Sequence, residues 1–166
     1  MNYENTEGCR IIQAGFQEQT LQVVRTITRE TIQEIYPHYY PKGAVDFFLS
    51  HHNDTGIRQD LEAGSVYLLL NEKQLAVGTV TLKNHEICRL FVLPAHQKKG
   101  YGRRLMDFAE QKIFKCTDIC RLDASLPAKA IYIKRGYRES AYHIIPTENG
   151  DFLCYDVMQK TKNTDK

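Results

Sequence analysis

From residue 18 to residue 35 the side chains Leu21, Val24, Ile27, Thr31, Ile32 and Ile35 recur at steps of three and four. That spacing lines them up on one face of an α-helix. Pro37 ends the helix, since proline brings no N–H to the ladder. Residues 9–14 read as a short strand before it, and the aromatic stretch 36–41 as a loop after it. Residues 45–50 and 57–62 read as short helices, the second closed by Gly64. The pattern then turns strand-like. Residues 65–70 and 75–82 flank a turn at 71–74, and 86–92 follow a turn at 83–85, which predicts an antiparallel meander. Helical spacing returns after Pro94, where Leu105, Phe108, Ala109, Lys112 and Ile113 mark an amphipathic helix over 102–114. Residues 119–124 read as a strand and 127–135 as a helix with Pro127 in its first turn. Gly136 sits where a left-handed residue ends a helix. Strands at 140–145 and 152–158, joined by a turn at 147–150, close the chain.

A helix lies between the strands at 86–92 and 119–124, which implies a right-handed parallel crossover there. The class is α+β, or α/β by a looser label. Residues 1–160 form one domain and 161–166 a disordered polar tail. Hydrophobic residues make up 42% and charged residues 25% of the 166, enough for a globular core. A chain of this length buries roughly 70% of its unfolded surface, so folding requires no metal or disulfide staple. The formal charge of +2 argues against a dedicated nucleic-acid or polyanion binder, so any electrostatic role is local. The five cysteines cannot all pair and show no C-x-x-C spacing, which reads as small apolar residues in a reducing cytoplasm. The histidines have no metal-ligand spacing, so no metal is expected. Residues 1–8 carry Glu4 and Glu7 and do not read as a signal peptide. The apolar run 66–70 is too short to span a membrane. The reading is cytoplasmic, with neither nucleic acid nor membrane as partner. The last hairpin leaves an edge through which a homodimer could form.

The strongest local signal runs from Leu90-Phe91-Val92-Leu93-Pro94 through Gln97-Lys98-Lys99-Gly100-Tyr101-Gly102-Arg103-Arg104. A hydrophobic strand enters a basic, glycine-bearing loop that opens into a helix. Main-chain N–H groups converge at a helix N-terminus, where the dipole adds partial positive charge, so this is an anion cradle. Gly100 and Gly102 leave no Cβ in the way of a phosphate. The loop lacks the G-K-[ST] of a P-loop and the G-x-G-x-x-G of a dinucleotide fold.

Gln97-Lys98-Lys99-Gly100-Tyr101-Gly102 resembles the [Q/R]-x-x-G-x-[G/A] pyrophosphate loop of the GNAT superfamily of N-acetyltransferases. Residues 90–94 look like that family's splayed fourth strand. Tyr132-Ile133-Lys134-Arg135-Gly136-Tyr137 resembles its second signature, about thirty residues on with one strand between. The resemblance implies a mostly antiparallel mixed sheet of six to seven strands, with a parallel pair splayed around acetyl-CoA and helices on both faces. It implies transfer of an acetyl group to a primary amine by direct attack in a ternary complex, with no metal. The alternative is a non-catalytic acyl-CoA sensor on the same fold.

The resemblance also assigns residues. Leu90, Phe91 and Val92 would face the pantetheine, with Phe91 and Val92 pairing its amides, and the main chain of Gln97, Lys98, Lys99, Gly100, Tyr101, Gly102 and Arg103 would hold the diphosphate. Ser125 stands where the family often has a pantetheine-contacting Asn, Ala128 keeps a small residue, and Arg135 completes the cofactor set. An amine of pKa about 10.4 arrives protonated and needs a base. Glu86, at the head of the cofactor-facing strand, is the candidate, with His85, Tyr36, His38, Tyr39 and Tyr40 as fallbacks. Tyr132 is the family's usual acid for the departing thiolate, and an N–H near Val92 would steady the thioester oxygen. Tyr36, His38, Tyr39, Tyr40, Phe47, Phe48, Tyr142, His143 and Tyr155 are available to wall the acceptor pocket, which would take a small-molecule or peptide amine.

Overall fold

A computed structural model describes residues 3–6 and 8–163. Eight strands form one sheet in the order β1-β2-β3-β4-β5-β6-β8-β7. They are β1 (Tyr3–Thr6), β2 (Cys9–Ala14), β3 (Val66–Leu70), β4 (Ala76–Lys83), β5 (Glu86–Val92), β6 (Ile119–Ala124), β7 (Arg138–Pro146) and β8 (Phe152–Thr161). Every pairing is antiparallel except β5 with β6. The expected class and crossover therefore stand. The sheet exceeds six or seven strands through β1, which shows no apolar alternation. The chain also stays ordered past residue 160: Thr161 pairs with Ile119, and Lys162 N–H bonds the Asp118 carbonyl at 2.8 Å. Residues 164–166 of the expected tail lie outside the described residues.

The helices are α1 (Glu18–Ile35), α2 (Lys42–His51), α3 (Asp54–Glu62), α4 (Tyr101–Ile113) and α5 (Leu126–Lys134). α1 buries the stripe that its spacing predicts, Leu21, Val24, Ile27, Thr31 and Ile32. A 3-10 turn at Tyr36–His38, with Pro37 near its start, follows α1. Gly136 adopts the left-handed φ of +94° expected after α5. Helices cover both faces, and each face has its own core. α4 and Tyr132 of α5 pack over Leu69, Val80 and Leu122. α1, α2 and α3 pack over Val66, Leu68 and Phe91 on the other side.

The parallel pair decides where a ligand can enter. β5 and β6 register only at Glu86↔Arg121 and Ile87↔Leu122. Beyond those residues the strands part. The split starts at an irregularity: β4–β5 register runs Thr81↔Arg89 and then Leu82↔Ile87, so Cys88 is one extra residue on β5. Such a bulge bends its strand and ends regular pairing.

Candidate active site

Strands that part expose main-chain groups that need partners. Leu93 N–H bonds Val77 O at 2.9 Å, so the antiparallel alternation turns Phe91 toward β4 as well, through its pairing with Thr79. The same alternation turns Leu90 and Val92 to the open edge. The Val92 carbonyl accepts Gln97 Nε2 at 3.0 Å, and Thr31 Oγ1 lies 3.1 Å from it. Among the described residues, the positions left free on the edge are therefore both main-chain groups of Leu90 and the N–H of Val92. The expectation for Phe91 is corrected, since its main chain belongs to the β4 ladder, although its ring lines the cavity described below.

Gln97 thus anchors the basic loop to the end of β5. Gly100 caps α4 with φ of +84°, a conformation that favours glycine. The first donor inside the helix is Arg104, to Gly100 O at 3.1 Å. The N–H groups of Tyr101, Gly102 and Arg103 precede it and have no carbonyl to bond within the helix. A Cβ added at Gly100 would meet nothing within 4 Å, and one at Gly102 would touch Val92 Cγ2 at 4.0 Å. Lys98, Lys99 and Arg103 are exposed around them. The Tyr101 side chain takes no part: it is buried with its hydroxyl donating to Glu72 Oε2 at 3.0 Å. Arg135 is corrected too. Its guanidinium is held by Glu110 Oε1 at 3.1 Å and Asp107 Oδ1 at 2.7 Å, which ties α5 to α4.

A cavity of about 170 Å³ opens where β5 and β6 part. Its lining draws on both faces: Tyr132 from the α4 core, and Tyr36, Phe91 and Leu153 from the α1 core. Tyr132 is 8% exposed, and its hydroxyl has no hydrogen-bond partner among the described residues. Burial pushes its pKa up to about 12, slightly opposed by Arg135, so the phenol keeps its proton. Ser125 also lines the cavity as the residue preceding α5. Burial raises the Tyr36 phenol, and a hydrogen bond to Ser125 pulls the other way. Ala128 packs against the α4 core.

Of the remaining candidates, Phe47, Phe48 and Tyr155 line the cavity. His85, His38, Tyr39, Tyr142 and His143 are exposed. Tyr40 instead accepts Leu126 N–H at 2.7 Å, satisfying the first turn of α5. Glu86 lies where the two strands still pair, outside the cavity lining, with Oε2 3.1 Å from Arg121 Nη1. Arg121 Nη2 is in turn 3.6 Å from Asp123 Oδ1, and Asp123 is the carboxylate that does line the cavity.

Several lining residues escaped sequence reading, Asp123, Arg89 and His52 among them. Arg89 is 5% exposed at its side chain, and its Nη1 bonds Asp60 Oδ2 and Thr81 Oγ1 at 3.0 Å each. Its Nε donates to His52 Nδ1 at 3.3 Å. Burial, with Arg89 and His51 nearby, drives the His52 pKa down to about 3, so the ring is neutral. An arginine set among Ile87, Cys88, Leu90, Phe91 and Val92 was the available signal.

Comparison with known proteins agrees with this geometry. The family model described as "Acetyltransferase (GNAT) domain" matches residues 35–150. No curated protein matches the sequence significantly. Among solved structures, a GCN5-related N-acetyltransferase from Rhodopseudomonas palustris aligns with TM-score 0.79 and 22% identity over 95% of this chain and 96% of its own. PaiA N-acetyltransferase from Thermoplasma acidophilum, solved in complex with coenzyme A, aligns with TM-score 0.66 and 16% identity over 92% and 98%. At these identities the likeness is one of fold.

Proposed function

Since the chain belongs to the GNAT acetyltransferase family, we propose that it moves the acetyl group of acetyl-CoA to a primary amine by direct attack in a ternary complex. The observation that carries this reading is the unpaired Tyr132 hydroxyl at the gap between β5 and β6, on a cavity that both faces share. The donor fits the residues present. The α4 amides at Tyr101, Gly102 and Arg103 suit a diphosphate, with Lys98 and Lys99 beside them, and the open edge at Leu90 and Val92 suits an amide-bearing chain. Acetyl-CoA supplies a thioester-activated acetyl group.

Asp123 at the cavity mouth attracts the ammonium form of the acceptor and takes its proton directly or through water. Glu86 stands behind it across Arg121. This reassigns the base from Glu86 to the carboxylate that reaches the cavity. The N–H of Leu90 or Val92 steadies the thioester oxygen as charge builds on it. Tyr132 holds the proton that the departing thiolate needs. A phenol of pKa about 12 is a weak acid beside a thiol near 8.5 in water. The transfer therefore proceeds in concert with C–S cleavage, as charge builds on sulfur. Burial and the nearby Glu86 carboxylate push Cys88, in the cavity lining, up to about 11. That shift keeps Cys88 a thiol, which disfavours a covalent relay through it.

Two measurements test the reading. Acetyl-CoA and CoA, but not ATP, are expected to raise Tm, since ligand at 100 times Kd adds about 2.7 kcal/mol. Tyr132→Phe is expected to lower kcat for thiol release across an amine panel by about 10²–10⁴ while keeping that shift. An unchanged kcat removes Tyr132 as the acid, and the absence of a CoA shift removes the transferase reading.

A further inference from the structure

The cavity lining also holds a buried positive charge that the chemistry above does not use. Arg89 and Lys83 share Asp60, with Lys83 Nζ 2.7 Å from its Oδ1, so the group of three sums to +1. Arg89 spends Nε and Nη1 on protein partners, and its Nη2 has none among the described residues. His52 accepts at Nδ1, so its single proton sits on Nε2, which also lacks a partner among them. The only buried polar side-chain atom left unsatisfied among the described residues is Thr28 Oγ1. The free N–H groups of Arg89 and His52 are therefore not sealed in protein, and both residues line the cavity.

Building on the transferase reading, we propose that Arg89 and His52 form an anion-recognising end of the acceptor pocket, and that the acceptor is a small amine that also carries a carboxylate, such as an amino acid. Two adjacent donors suit the two oxygens of a carboxylate, and a single negative charge balances the +1. Asp123 lies on the opposite strand, β6, so a molecule with an ammonium at one end and a carboxylate at the other matches the pocket's polarity. Size agrees: about 170 Å³ is below the roughly 300–1,000 Å³ of pockets for drug-sized ligands.

Acceptors differing only in the carboxylate provide the test: phenylalanine against phenethylamine, and lysine against cadaverine, with phosphoethanolamine as a dianionic control. Thiol release should show kcat/KM at least about tenfold higher for the amino acid of each pair. His52→Phe should bring that ratio toward 1, and the donor-preserving His52→Gln should restore it. Arg89→Met should also abolish the preference. Because that variant leaves buried Asp60 with Lys83 as its remaining cation and can fail to fold, the two His52 variants decide the question, with the CoA-induced Tm shift reporting the fold. If phenethylamine and cadaverine react as well as their amino acids, or phosphoethanolamine reacts best, the carboxylate assignment is wrong and the transferase reading survives. If no acceptor reacts and acetyl-CoA leaves Tm unmoved, both fall together.

Discussion

On one face of the sheet Glu110 of α4 holds Arg135 and Lys160, with Lys160 Nζ 2.9 Å from its Oε2. On the other face Asp60 of α3 holds Arg89 and Lys83. Each cluster is one buried carboxylate with one arginine and one lysine, yet their surroundings give them different work. Arg135 gains a second acid, Asp107, so the first cluster is neutral, and its guanidinium joins α4 to α5. Among the described residues Arg89 has no second acid. It keeps an unused N–H and borders the cavity. A buried guanidinium is structural when carboxylates surround it and available for recognition when a cavity takes the place of one of them.

The largest effect should come from removing the acid that each cluster depends on. Asp60→Asn leaves Arg89 buried without a counter-charge, at a cost of about 3–5 kcal/mol. Glu110→Gln costs less, because Asp107 stays on Arg135 at 2.7 Å. Urea unfolding of both variants measures the difference. Equal losses would mean that the two clusters are the same kind of structural tie.

A second distinction is pH. An unfolded histidine takes up a proton near pH 6.5, whereas folded His52 resists until about pH 3. Between those values the unfolded state binds more protons, so stability falls as pH falls. From pH 7 to pH 5 the loss from this one group is about 2 kcal/mol. His52→Gln removes it, so the stability gap between wild type and variant should shift by that amount across the two pH values. A gap that stays constant would show that His52 is not held neutral. The Glu110 cluster contains no histidine and contributes nothing of this kind.

Much of this was readable in the chain. The α1 stripe, the meander, the parallel crossover and the glycine-bearing loop are local patterns, and local patterns survive folding. What stayed hidden depends on distance along the chain. His52 and Arg89 lie 37 residues apart, and Arg89 and Asp60 lie 29 apart, so no window contains the cluster. The extra residue at Cys88 leaves no mark in composition, yet it sets which main-chain groups face the gap and moves that role from Phe91 to Leu90. For the same reason the family motif pointed to Arg135 and passed over Arg89. A motif records that a cation stands near a signature, but only the neighbouring carboxylates decide whether it is free.

The smallest effect bears most directly on that reversal. Arg135→Gln removes a guanidinium held by Glu110 and Asp107, but neither acid is stranded. Glu110 keeps Lys160 at 2.9 Å, and Asp107 is more than half exposed to water. The expected loss is therefore only about 1 kcal/mol, the net worth of an ordinary hydrogen bond, read as a small shift in the urea midpoint. KM for acetyl-CoA should stay within about twofold of wild type, because the amides suited to the diphosphate belong to Tyr101, Gly102 and Arg103, at the opposite end of α4 from Glu110. A large rise in that KM, with the fold intact, would return Arg135 to the cofactor site and dissolve the contrast between the clusters.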